Sequence, residues 1–217
     1  MIGGPRRRAA DMSALLAAAA FLTAVNPAAA HSLRELERQL VDREAYLEVV
    51  NRPTPAFRLM DPAGKAVSLA DFRGKVVVLW FIYAACTDFC PLHTEAVADI
   101  QAKVNRTPMR DLVRFVAITT DPERDMPEVL RAYGAAHGLD AANFAILTSG
   151  ADKAGDTRAL AAAFGLKFTP AGGGRQMHGV VTHLIDKSGN VRGRVHGLKF
   201  DPVNVVLYLN ALTNDRH

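Results

Sequence analysis

The chain has 217 residues, 49% of them hydrophobic and 22% charged, and a formal net charge of +4. That is an ordinary globular composition, long enough for one well-filled core, so a single main domain is expected. Arg6, Arg7, Arg8 and Asp11 lie in a segment that reads as removable, and without them the charge falls to +2, too little to argue for nucleic acid or an anionic membrane surface as a partner.

Residues 1–30 have the three parts of a secretory signal peptide: Arg6-Arg7-Arg8, the apolar stretch Ala14 to Val25, and the small residues Ala28-Ala29-Ala30 before His31. Export with cleavage before His31 is the expectation. The competing reading is an uncleaved anchor, but a hydrocarbon core needs about 20 apolar residues, and Asn26-Pro27 interrupts this run. Membrane attachment follows only if the segment is retained. The arginines also invite a twin-arginine reading, which little around them favours over general secretion. No Cys follows the apolar stretch, so a lipoprotein anchor is not expected. An exported chain meets an oxidising compartment, where two cysteines pair unless something keeps them reduced or metallated.

Leu33, Leu36, Leu40 and Leu47 put an apolar stripe on a charged helix from about Ser32 to Val49, which Pro53 and Pro55 end. Phe57 to Met60 and Ala66 to Leu69 flank the turn Asp61-Pro62-Ala63-Gly64 as a hairpin. Val76 to Tyr83 is an apolar, β-branched run of the kind buried on both faces of a sheet.

Directly after it come the only two cysteines, in Ala84-Ala85-Cys86-Thr87-Asp88-Phe89-Cys90-Pro91. Pro91 suits the first turn of a helix running to about Val104, so both thiols sit at a strand-to-helix turn. A helix N-terminus favours thiolate and can lower a cysteine pKa to roughly 3.5–7.5. Thiolates bind soft metals and exchange disulfides. A purely structural disulfide is a poor reason for this spacing, because so short a loop yields about 2 kcal/mol against about 4.7 for a loop of roughly 100 residues.

Downstream, Val113 to Thr119 reads as a strand, and Asp125-Met126-Pro127-Glu128 as a capped start of a helix that runs to His137 and stops at Gly138. Asp125 is assigned to that cap, worth about 1 kcal/mol. Asn143 to Leu147 is a strand, Lys153 to Phe164 a helix and Ala171-Gly172-Gly173-Gly174 a flexible loop. Gly179 to Ile185 and Asn190 to His196 form a hairpin. In its second arm Val191 and Val195 face one way while Arg192, Arg194 and His196 face the other. Pro202 to Leu212 is a last helix. Alternation closed by a hairpin predicts an α/β fold, a mixed sheet with helices on both faces.

The Cys86-x-x-x-Cys90-Pro91 turn, Thr120-Asp121-Pro122-Glu123-Arg124-Asp125, and a His six residues ahead of Leu184-Ile185 together resemble the SCO/SenC family, from about Pro53 to Leu212. The resemblance implies a thioredoxin-like fold with an added N-terminal hairpin, and a part in assembling the copper site of cytochrome c oxidase. It also implies one copper ion held by Cys86, Cys90 and His178. Two thiolates and an imidazole are a soft, low-coordinate set that suits Cu(I) and also accommodates Cu(II). Cysteines at this spacing can also close into a disulfide. By the same resemblance Asp121 lies near the copper and tunes it by hydrogen bonding.

His183 is the chief rival to His178. It lies five residues on, and in a regular strand it points to the opposite face. His93, three residues after Cys90, reads as a helix-surface residue, and His137 and His196 as solvent-facing. His217 sits on a tail, and His31 becomes the N-terminus after cleavage. Two departures stand out: Met177 precedes His178 where the family often has an acid, and Ala84-Ala85 replaces a more usual polar pair.

The first expectation is therefore a periplasmic copper metallochaperone, with a copper donor, a thiol reductant and a copper-accepting oxidase subunit as partners. The second is an enzyme, a thiol-disulfide oxidoreductase in which Cys86 and Cys90 are the redox pair that reduces the acceptor's cysteines. His178 would then be dispensable. A thiol peroxidase is a weaker third, since no peroxide-binding pattern is visible.

Overall fold

The computed structural model describes Met1 and residues 33–215 except 88, 168, 172–174 and 178, with backbone alone at 169–171 and 175–177. Apart from Met1, the expected signal segment lies outside the described residues, as do His31 and His217.

Helix α1 spans Leu33–Arg43 and is followed by strands β1, Leu47–Pro53, β2, Arg58–Met60, β3, Ala66–Ser68, and β4, Val76–Ile82. Helix α2 covers Phe89–Asn105, β5 Val113–Thr119, α3 Pro127–Ala136, β6 Phe144–Leu147 and α4 Ala154–Ala163. A short pair, β7, Thr169–Ala171, and β8, Arg175–Met177, precedes β9, Val181–Ile185, β10, Asn190–His196, and α5, Pro202–Asn214.

Six strands form one sheet in the order β1-β10-β9-β4-β5-β6. β4, β5 and β6 run parallel, whereas β9 is antiparallel to β4, and β10 and β1 continue antiparallel from it. All seven residues of β4 are buried, as a strand covered on both faces must be. Val76, Val78, Trp80 and Ile82 pack under α1, α2, α3 and α5. Val77, Leu79 and Phe81 pack against α4 and the β2–β3 hairpin. The mixed sheet with helices on both faces is the one that the alternation predicts.

The first helix is shorter than its apolar stripe suggested. It ends at Arg43, and Leu47 to Pro53 form an edge strand with Leu47 opposite Val195. Glu44 causes the break. Its buried carboxylate accepts the Asp201 backbone N–H at 2.8 Å and the Asn204 amide at 3.1 Å, tying the end of α1 to the start of α5. The β-branched Val49-Val50 then finds a partner in β10, and Pro53 is tolerated at a strand end on the sheet edge. Ala171, assigned by sequence to the glycine loop, lies in β7, opposite Arg175 of β8.

Helix α3 approaches β6 closely because it carries a glycine there. A Cβ at Gly134 would come within 2.5 Å of the Phe144 ring. Gly138, at φ +75°, lies just beyond the end of α3, as expected of a helix stop.

Candidate metal centre

Strand β4 delivers the chain to the C-terminal edge of the parallel strands, where open α/β sheets gather their ligand sites. A turn follows in which the Cys86 N–H bonds the Tyr83 carbonyl at 3.1 Å. Helix α2 then starts at Phe89, so Cys90 lies in its first turn and Pro91 is its third residue. The Cys86 sulfur supports this early start by accepting the Cys90 N–H at 3.4 Å, which satisfies one of the helix's orphan donors.

Neither cysteine is in a disulfide; Cys86 is half-buried and Cys90 buried. The depressed pKa expected of a helix N-terminus is not what Cys90 experiences. Burial pushes its thiol well up, the hydrogen bond with Cys86 pushes the same way, and the Tyr83 backbone N–H opposes them. Loss of solvent outweighs the helix dipole here.

Asp125 turns out to be no helix cap. Met126 occupies the cap position of α3 without a side-chain bond. The Asp125 carboxylate instead reaches across to the cysteine turn, accepting the Ala84 N–H at 3.1 and 3.0 Å on its two oxygens and the Thr119 hydroxyl at 2.5 Å. Burial raises its pKa against the pull of these bonds. Asp121 is equally buried, but its carboxylate is engaged by Arg124 at 2.5 Å. Among the described residues, Asp125 is the acid that contacts the turn before the cysteines.

Behind the sulfurs, α2 meets the sheet through a set of buried polar side chains. Trp80 Nε1 donates to Thr94 Oγ1 at 3.3 Å, and Thr94 Oγ1 lies 2.9 Å from the Tyr133 hydroxyl. His93 is not on the helix surface. It is 2% exposed, and its Nε2 shares a 2.7 Å hydrogen bond with Thr182 Oγ1 of β9. His137 is half-buried, its ring 4.4 Å from that of Tyr133, whereas His196 is exposed and bonds Glu48 at 2.8 Å.

His183 is in the opposite layer, with ring centroids 4.8 Å from Phe164 and 6.4 Å from Phe81. Burial, and secondarily Arg194 and Arg52, lower its pKa to about 3, so the ring is neutral at physiological pH. β9 starts at Val181 and carries His183. His178 lies outside the described residues. Among those described, no three His, Cys, Asp or Glu side chains gather in a group able to hold a metal ion. Sequence reasoning gave Asp125 to the cap of α3 and passed over Thr94 and Tyr133. Thr94 had a signal, four residues after Cys90 and hence on its face of the helix; Tyr133 had none.

A mixed sheet with helices on both faces and a dithiol at the strand-to-helix turn makes this a thioredoxin-like protein. The chain belongs to the SCO1/SenC family, whose model matches residues 48–212. It is 29% identical over 190 residues to a protein of Stutzerimonas stutzeri named for copper binding, covering 81% of this chain and 88% of the relative. A SCO1/SenC family lipoprotein from Bacillus anthracis superposes with a TM-score of 0.69 at 25% identity, over 77% of this chain and 98% of that one. BsSco, a member of the Sco family of cytochrome c oxidase assembly proteins in which a disulfide switch was identified, superposes at 0.68 with 23% identity, over 78% and 98%. Among the described residues, no helix is long and apolar enough to cross a membrane.

Proposed function

We propose that this protein is an exported copper metallochaperone of the bacterial periplasm, released or tethered to the inner membrane, that binds one copper through Cys86, Cys90 and His178. It delivers the metal by ligand exchange for the copper site of cytochrome c oxidase. The observation that carries the reading is the pair of cysteines at the α2 N-terminus, not joined in a disulfide, one half-buried and one buried, in a chain of the SCO1/SenC family. Two sulfurs favour Cu(I), and an imidazole added to them extends the set to Cu(II). The copper-binding relative and the oxidase-assembly protein of the same fold point the same way. Phe89 and Leu92, 60% and 53% exposed beside the cysteines, supply apolar surface that a protein acceptor would cover.

The asymmetry of the two thiols supports a second reading. An accessible Cys86 that attacks, backed by a buried Cys90 that resolves, is the arrangement of a thiol-disulfide oxidoreductase. In that reading the chain reduces the acceptor's ligand cysteines.

Competition of the reduced protein with a Cu(I) chelator tests the first reading. Cys86→Ser and His178→Ala are each expected to weaken Cu(I) binding at least about tenfold, the equivalent of about 1.4 kcal/mol. Retention of full affinity by both variants would falsify the proposed ligand set. Disulfide reduction that survives in His178→Ala while copper binding is lost separates the two activities.

A further inference from the structure

Two consecutive residues of α2 bond two facing residues of the sheet. Thr94 Oγ1 accepts the Trp80 Nε1–H at 3.3 Å, and His93 Nε2 shares its 2.7 Å hydrogen bond with Thr182 Oγ1. Trp80 of β4 and Thr182 of β9 are direct cross-strand partners, so the helix is pinned to both strands at one level. None of the four side chains is more than 2% exposed, and around them the layer is apolar, with Val78, Ile82, Val97 and Ile100. Apolar packing lets a helix slide on a sheet at modest cost. A buried hydrogen bond resists sliding, because both groups lose their only compensation for being out of water when they part.

The two bonds lie between the segments that carry the proposed copper ligands. Trp80 is six residues ahead of Cys86, at the end of β4 that leads into the cysteine turn. Cys90 is three residues before His93 on one helix, a separation of about 4.5 Å along the axis. His178 is four residues ahead of Thr182 in sequence, and four residues of chain reach at most about 14 Å. We propose that His93 and Thr182 are positioning residues for copper, their bond fixing the Cys90 turn of α2 relative to the chain that enters β9 four residues after His178. The bond from Trp80 to Thr94 sets the same turn against the strand that leads to Cys86. This role rests on the reading of Cys86, Cys90 and His178 as the ligand set given above. His93 and Thr182 touch no metal; they limit how far the sulfur side and the imidazole side of the set can drift apart.

Thr182→Val removes the hydroxyl and keeps the shape, whereas Thr182→Ser keeps the hydroxyl. Cu(I) affinity is measured by chelator competition for each, alone and combined with His178→Ala, and urea stability is measured on the metal-free proteins. Thr182→Val is expected to weaken Cu(I) binding about fivefold, and by less than about twofold once His178 is replaced, because residues that act through one another are not additive. Thr182→Ser should stay within about twofold of the parent. The thiolate-to-copper absorption of the Cu(II) protein should shift in Thr182→Val and not in Thr182→Ser. A Thr182→Val protein that loses urea stability but keeps the parent's copper affinity and absorption overturns the assignment, since a purely structural residue behaves that way. So does a loss of affinity of equal size with and without His178. If Thr182→Val fails to fold, His93→Gln, which shortens the contact but leaves Thr182 a polar partner, gives the same comparison. Parent-like copper affinity in His178→Ala alone overturns the ligand set and the positioning role with it, whereas weak binding there with no coupling to Thr182 overturns the positioning role only.

Discussion

Thr182 and His183 are neighbours in β9 that face opposite layers, and the two layers treat polar groups differently. On the α2 side Thr182 bonds the buried His93, and Trp80, Thr94 and Tyr133 form a second chain behind the cysteines. On the other side His183 is walled in by Phe81 and Phe164, and neither ring nitrogen has a hydrogen-bond partner among the described residues. Two buried histidines, one on α2 and one in β9, therefore do different things. One joins the cysteine helix to the sheet through a directed bond, and the other is held neutral in an aromatic slot. Buried polar pairs specify a position more than they stabilise it, and here they collect on the layer that carries the sulfurs.

Substitutions can break this contrast. The largest effect is expected for Asp125→Ala, which strands the Ala84 N–H and the Thr119 hydroxyl together. Loss of a charged acceptor shared by two donors should lower stability by about 3 kcal/mol in urea unfolding, with faster exchange of the Ala84 amide. A variant within about 0.5 kcal/mol of the parent, the usual range for surface changes, would mean that the carboxylate does not hold the cysteine turn.

His93→Phe comes next, at about 2 kcal/mol, because Thr182 is left buried without its partner. The same change at His183 removes no hydrogen bond between protein groups, so His183→Phe should stay within about 1 kcal/mol of the parent at neutral pH. Equal losses from the two variants would erase the distinction between the layers.

Acid sharpens it. The His183 pKa is about 3 in the folded chain, below its ordinary value of 6.5, so between those values the unfolded chain binds more protons. Stability is then retained above pH 6.5 and lost as pH falls toward 3, by up to about 1.4 kcal/mol per unit from this group. His183→Phe removes that contribution. The difference in unfolding free energy between the parent and His183→Phe should change with pH only within this window; a difference that stays flat would place the ring in contact with water.

Much of the fold was legible in local pattern. Val76 to Ile82 and Val113 to Thr119 announced themselves as buried strands, and the Asn190–His196 arm alternated as it does in the sheet. The Cys86/Cys90 turn was equally plain, since a strand, two thiols and Pro91 follow one another in sequence. Errors arose where a residue's role depended on something distant. Leu47 fits a helical stripe until Glu44 turns aside to α5 and β10 offers an edge. Asp125 fits a helix cap until Ala84, 41 residues earlier, proves to need an acceptor. His93 fits a surface histidine until Thr182, 89 residues later, is set beneath it.

Sequence by itself therefore determined the order of elements from β2 to α4 and from β9 to α5, the dithiol turn and the family motifs, because periodicity and turn chemistry act over a few residues. Tertiary structure alone decided which of the described acids reaches the cysteine turn, that His93 is buried against Thr182, and that Cys90 is raised rather than lowered in pKa. Those outcomes depend on burial and on hydrogen-bond partners from remote segments, and neither exists until the sheet has closed beneath α2.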